Sequence, residues 1–360
     1  MATRNGFKEL VLPSMAMVAA EFSNVIISIL VKAASLKGMS FFVYTAYCYI
    51  LGSFVFLLLA LLLRKSVLPP LKFPLFSRIF LLALLGFSAQ ILVCKALELS
   101  SPTLASANTN LMPAFTFILA VFFRMEKVTF RSSSTQSKII GTIASIFGAF
   151  VIVFYKGPKV ISPSFSSSPS SSALLQSPSV FMSYESNWII GGLLLAISTL
   201  LVSFVYIIQS QIMKMYPEEV TVNFFYNLFG TLISLPIGLL AEPNLSCWKL
   251  SSSLAAVAVF YSGLFGLSFV CLVHMWGVRL KGPVFVTSFK PIQIVIAIVM
   301  SAIFFGEAVF LGSVIGSLFL CTGLYCVLWG KAKEEQEMKD DESGLSTING
   351  RIPLLQNQLS

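Results

Sequence analysis

Residues 292–305 read IQIVIAIVMSAIFF, and residues 55–63 read VFLLLALLL. Neither run alternates apolar with polar residues, so neither describes the lipid-facing strand of a transmembrane barrel. Both read as helix suited to a bilayer, whose hydrocarbon core takes about 20 apolar residues to cross. The rest of the chain has the same texture. Of its 360 residues, 56% are hydrophobic and only 11% are charged, against about 25% charged in a soluble domain. Thirty-three Phe cannot be hidden in one soluble core. The composition excludes a cytosolic enzyme, a disordered protein and a secreted disulfide scaffold.

Ten such segments can be drawn, at 11–31, 42–63, 79–97, 104–123, 139–155, 188–212, 220–240, 253–275, 284–304 and 308–329. The predicted fold class is therefore an all-α polytopic membrane protein with ten transmembrane helices. The net charge of +9 would suggest nucleic acid in a soluble protein. Here the basic residues fall in short loops between apolar runs, where they report topology. With the N-terminus inside, seventeen Lys and Arg fall on the cytoplasmic side. Six fall opposite: Lys32, Lys37, Lys95, Lys156, Lys159 and Lys249. This asymmetry predicts that both termini are cytoplasmic.

The stretch Ser162–Ser179 holds ten Ser and three Pro, a composition with too little apolar surface to bury. It divides the chain into a cytoplasmic N-terminus (1–10), a first repeat (11–156), a flexible linker (157–187), a second repeat (188–331) and a disordered acidic cytoplasmic tail (332–360). The halves share landmarks. Ser101-Pro102 opens the fourth segment and Gly282-Pro283 the ninth, each followed by a Glu (Glu126, Glu307) 24 residues after its Pro. Gly141, Gly148 and Lys156 have the same spacing as Gly316, Gly323 and Lys331. Five helices is an odd number, so the second repeat must enter the membrane inverted. Inverted repeats with a site at their interface are a build of secondary transporters.

No HExxH, GxSxG or P-loop occurs, so no catalytic residue and no cofactor is expected. One His precludes a multi-His metal site, and the six Cys form no CxxC. The informative residues are polar ones inside apolar runs, because burying them is costly. Glu21 lies mid-way along the first segment and shares a helical face with Asn24 and Ser28. Lys290 lies inside the ninth, directly before Pro291 and near Gln293. Asn108 and Asn110 precede Pro113 in the fourth, and Gln90 lies in the third. Pro113 and Pro291 are candidate helix breaks, since each lacks a backbone donor. Glu21, Asn24, Gln90, Asn108, Asn110, Lys290 and Gln293 are the candidate substrate-binding set. Glu21 is the candidate proton site, and Lys290 suits a substrate carboxylate or an ion pair with Glu21. Glu126 and Glu307 read as helix-end contacts near water. His274 reads as a structural residue or a titrating one. The small-residue pairs Gly312/Gly316 and Gly141/Ser145 read as internal packing or a homodimer face.

Three stretches carry a family resemblance: KAASLKGMS (32–40), SPTLASANTNLMPAFTFILAVFFRMEKV (101–128) and WGVRLKGPVFVTSFKPI (276–292). With them the chain resembles the plant nodulin-21-like, WAT1-related branch of the drug/metabolite transporter superfamily, whose repeat is the EamA domain. Many of those relatives carry Tyr-Arg where this chain has Tyr47-Cys48. The resemblance implies two inverted five-helix EamA repeats. It also implies export or facilitated movement of amino acids or auxin-like metabolites, across the plasma membrane or the vacuolar membrane of a plant cell. The expected partners are a small-molecule metabolite, a proton as coupling ion and the lipid bilayer, and no nucleic acid. The rival is a non-transporting regulatory membrane protein of the same fold.

Overall fold

The computed structural model describes residues 2–35, 37–62, 73–99, 111–126, 132–155, 157–161, 185–250, 252–305 and 309–349. These residues are helical almost throughout. The first half supplies α1 (Ala2–Ser35), α2 (Phe41–Leu62), α3 (Phe73–Leu99), α4 (Met112–Phe122) and α5 (Ser133–Phe154). The second supplies α6 (Glu185–Met215), α7 (Glu219–Ala241), α8 (Ser253–Tyr261), α9 (Cys271–Lys281), α10 (Pro283–Ser288), α11 (Ile292–Phe305) and α12 (Leu311–Asn349). Residues Ser262–Val270 join α8 to α9 as π-helix, so α8 and α9 form one continuous rod.

Among the described residues, eight helical stretches are long and apolar enough to cross a membrane. The other two expected segments are represented by α4, of 11 residues, and by α5. The first turns of α5, a helix of 22 residues, carry Ser133, Ser134, Thr135, Gln136, Ser137 and Lys138, and an apolar stretch follows from Ile139. Its N-terminus is capped by Ser132, whose side chain accepts from the Ser134 N–H at 3.2 Å. The large apolar side chains at the outside of the bundle, such as Leu62, Phe73, Leu240 and Tyr325, are those a lipid environment would cover.

The helices of the two halves interleave. The most extensive packing is of α5 on α12, of α3 on α6 and of α2 on α7, while α1 lies against α8, the π-helical stretch and α11. The α5–α12 contact depends on absent side chains. A Cβ on Gly141 would lie 2.5 Å from the Gly323 carbonyl, and one on Gly148 would lie 2.7 Å from that of Gly316. Gly141 and Gly316, read as candidate small-residue contacts, are thus used within the chain.

Contacts sort the loops to two ends. At one end Ser40 Oγ donates to Glu242 (2.9 Å) and Tyr47 OH to the Trp248 carbonyl (2.8 Å). There, too, Lys159–Ile161 (β1) pairs antiparallel with Val309–Phe310 (β2). At the other end Arg279 bonds Glu219 at 2.6 Å, and Glu126 meets Lys138 and Lys331.

Within the expected linker, Lys159–Ile161 is a paired strand; residues 162–184, including the Ser-rich stretch, lie outside the described residues. In the acidic segment α12 continues to Asn349. Glu334 bonds Lys138 and Lys331, each at 3.1 Å. Glu126 is buried, where a wet helix end was expected.

Candidate functional site

The charged centre of the bundle is built on α1. Glu21 is fully buried and accepts from both neighbouring helical systems. Lys290 Nζ lies 3.0 Å from Oε1, and His274 Nε2 lies 3.2 Å from the same oxygen. Asn24 Nδ2 donates to Oε2 at 3.0 Å, and Gln293 Nε2 donates to that oxygen too. A carboxylate only accepts, so the His274 hydrogen is on Nε2 in the neutral ring and Nδ1 is an acceptor. Tyr206 OH lies 3.2 Å from Nδ1. The result is an open circuit of hydrogen bonds: Tyr206 donates to His274, His274 to Glu21, and Lys290 to Glu21. One carboxylate faces one ammonium, so with a neutral imidazole the group carries no net charge.

Lys290 reaches this position because its helix is interrupted. α10 ends at Ser288 and α11 starts at Ile292. Across the gap the backbone bonds shorten to three-residue spacing, from Lys290 N to Thr287 O (3.1 Å) and from Gln293 N to Lys290 O (3.2 Å). Pro291 cannot donate, which is why the break falls there. Upstream, Gly282 adopts φ 87 and separates α9 from α10, whose first residue is Pro283.

A cavity of about 320 Å³ opens beside the cluster and runs toward the Ser40–Glu242 end. Asn24, His274 and Lys290 border it, with Tyr44, Tyr49 and Tyr226 among its walls and Gln90 on the α3 side. Tyr49 and Tyr226 meet edge to face, with ring centroids 6.1 Å apart. Gly86 makes the space for the Tyr226 hydroxyl.

Of the predicted site residues, Glu21, Asn24, Lys290 and Gln293 converge, and Gln90 lines the cavity nearby. Asn108 and Asn110 lie outside the described residues. Pro113 sits in the first turn of α4, below the cavity, where Met112 packs against Met17, Phe285 and Phe289. Sequence reading underrated His274 and passed over Tyr206. His274 is twenty-one residues after the start of an apolar rod, so its place in the run pointed to an interface. The signal that could have raised it is the rarity of His in a span. Tyr206 gave no such signal. α2 and α7 also contribute cavity walls.

A second charged group lies at the other end of the bundle. Glu126 Oε2 is 2.7 Å from Lys138 Nζ and Oε1 is 2.6 Å from Lys331 Nζ, with Glu334 closing the square. Burial pushes the Glu126 carboxyl up, but the Lys331 and Lys138 ammonium groups outweigh it and hold it below the ordinary range.

A membrane-spanning helical bundle with a charge-neutral polar cluster beside an internal cavity has the build of a multi-pass membrane transporter. The comparisons agree. The profile of the EamA-like transporter family matches residues 12–154 and again 189–329. The WAT1-related protein At5g40240 of Arabidopsis thaliana is 53% identical over 90% of this chain and 88% of its own length. The WAT1-related protein At4g15540 of the same plant is 51% identical over 94% of each. One solved crystal structure superposes with a TM-score of 0.60 at 16% identity, over 87% of this chain and 96% of its own, a likeness of fold alone. The chain belongs to the EamA-like transporter family, among its WAT1-related plant members.

Proposed function

We propose that the protein is a secondary transporter, an exporter or facilitator of small organic metabolites such as amino acids or auxin-like compounds, working by alternating access. The observation that carries this reading is the cavity beside the Glu21–Lys290 pair, lined by residues from both family-matched segments. Among the described residues its lining is sparse and mixed in polarity, with no ring of repeated charge, which suits an amphiphilic metabolite better than an inorganic ion. The interleaved packing supports two inverted repeats. α2 pairs with its counterpart α7, and α5 with α12; the α3–α6 contact is mirrored by that of α1 with the α8 rod.

In this reading Glu21 is the proton site, and Tyr206, His274 and Lys290 are the circuit that rearranges when it titrates. Glu21, Asn24, Gln90, Lys290 and Gln293 contact substrate or hold the groups that do. Lys290 attracts a substrate carboxylate by exchanging it for Glu21, and the break at Pro291 lets α10 and α11 move separately. The test is flux of amino acids and auxin-like acids in reconstituted vesicles over a pH series, with protein amount controlled. Glu21→Gln keeps size and hydrogen bonding but cannot titrate, and is expected to insert yet lose pH-dependent net flux. A wild-type rate and pH profile in this variant would remove Glu21 from the mechanism. Absence of flux in the intact protein at normal expression would favour the regulatory alternative.

Both termini are placed in the cytoplasm, at the plasma or vacuolar membrane, on the Lys/Arg asymmetry. Cys247 is exposed in the loop between α7 and α8, on the side opposite the termini. In cells carrying the protein at the surface, an impermeant maleimide should label Cys247 from outside. Labelling only after permeabilisation would reverse the orientation.

A further inference from the structure

A second cavity, of about 270 Å³, lies at the Glu126 end of the bundle, away from the Glu21 cluster. Four elements wall it. Ser210 and Lys214 come from the last turns of α6, Arg279 and Lys281 from the end of α9, and Lys331 from α12, with Glu126 beyond the end of α4. Ser210 and Lys214 are four residues apart and so share one face of α6. Glu126 is the one carboxylate among the described lining residues.

The hydrogen-bonding capacity of this wall is unbalanced. An ammonium has three donors and a guanidinium five. Lys331 donates to Glu126 at 2.6 Å and to Glu334 at 3.1 Å, so one of its N–H groups is unspent among the described residues. Arg279 donates to Glu219 through Nη1 and keeps further N–H groups. Lys214 is exposed and has no partner among the described residues. On the accepting side, both oxygens of Glu126 are engaged, one by Lys138 and one by Lys331. Charge is unbalanced in the same sense. Lys138 and Lys331 offset Glu126 and Glu334, and Arg279 offsets Glu219. The charge of Lys214 is left over, and Lys281 brings a further ammonium to the same wall.

We infer that this cavity is a binding site for a phosphate group, held by Lys214, Lys281, Arg279 and the remaining N–H of Lys331. Donors that approach from several helices match a tetrahedral oxyanion, whereas a carboxylate offers two oxygens in one plane. Basic pockets between membrane helices at the cytoplasmic face are where anionic lipid headgroups are held. A soluble phosphate ester carries the same group, so the chemistry is shared and the source is a matter for measurement. The bound phosphate would join the ends of α6, α9 and α12. The site is separate from the Glu21 cavity and does not rest on the transport reading.

The experiment gives the purified full chain one phosphate monoester in two forms. Glycerol 3-phosphate is titrated onto the chain in phosphatidylcholine nanodiscs. Phosphatidic acid is compared with phosphatidylcholine on the detergent-solubilised chain by native mass spectrometry. Wild type should bind at least one of the two phosphates. Lys214→Gln with Lys281→Gln should weaken that binding roughly tenfold, the loss expected for one charge-assisted hydrogen bond. Lys214→Gln alone removes a side chain without a partner among the described residues, so it should keep the wild-type thermal midpoint and show a smaller loss in the same direction. Lys249→Gln, at the opposite end, should bind as wild type does. Retention of phosphatidic acid alone makes the source a lipid headgroup; binding of glycerol 3-phosphate alone makes it a soluble ester; binding of both shows that the group suffices. Binding of neither by wild type would overturn the site. So would full binding in the double variant, and so would an equal loss in Lys249→Gln, which would reduce the effect to net charge.

Discussion

Glu21 and Glu126 are both buried carboxylates, each held by groups from the other half of the chain, yet their surroundings differ in kind. Glu126 is saturated by two ammonium groups and shares them with Glu334. Glu21 has one ammonium; its other partners are two amides and an imidazole. The first cluster ties α5 to α12, where Gly141 and Gly323 leave no room for a Cβ. The second borders a cavity and an interrupted helix. A cavity of about 270 Å³ adjoins Glu126 as well. What sets Glu21 apart is the interrupted helix beside it and partners that can change hydrogen-bonding roles.

The comparison breaks first at Lys290. Removing one member of a buried ion pair costs about 3–5 kcal/mol, because the other charge is left uncompensated. Lys290→Met should lower the thermal midpoint most among the variants named here and abolish flux of carboxylate-bearing substrates. Adding Glu21→Gln to it restores neutrality, so the double variant should regain much of the midpoint but none of the flux. Recovery of flux as well would make the pair structural, and the two clusters would be alike after all.

At the other end, Glu126→Gln should cost about 3 kcal/mol at neutral pH while leaving flux per folded molecule unchanged. The folded carboxyl titrates below its unfolded value, so its stabilisation is complete above the unfolded value, about pH 4.3, and fades as pH falls below it. The difference in midpoint between wild type and Glu126→Gln should shrink on acidification below about pH 4. A flux defect with an unchanged midpoint would make Glu126 part of the transport cycle.

A smaller effect is expected between the two helices that the Glu126 cluster ties together. Gly323→Ala would place a methyl group 2.6 Å from the Gly141 carbonyl. Overpacking of this kind costs about 1–3 kcal/mol. Its thermal midpoint should fall with no change in the pH profile of flux. An unaltered midpoint would show that α5 and α12 separate easily and do not form the fixed side of the bundle.

Much of this was legible in the sequence, for physical reasons. Apolar runs announce spans because the bilayer demands them. Glu21 and Lys290 stood out because charge inside such a run needs a reason, and Asn24 followed from the helical period. Pro291 marked its break through its missing donor. Other features depend on tertiary placement. Glu126 has the look of a loop residue at a wet boundary until Lys138 and Lys331 are brought over it. His274 sits near the end of an apolar run in one dimension and at the polar centre in three.

The distance along the chain between Glu21 and its ammonium partner bears on how the protein is made. Lys290 lies 269 residues downstream. At about 5–20 residues per second, a ribosome needs roughly a quarter of a minute to a minute to reach it. During that time α1 must hold a carboxylate that costs about 2.5–3.5 kcal/mol on insertion scales, with Asn24 its one partner nearby in the sequence. Biogenesis thus has a window in which the first helix depends on the translocon, or on a chaperone beside it. Variants that weaken the apolar flanks of α1 should be degraded during synthesis before they can be tested for transport.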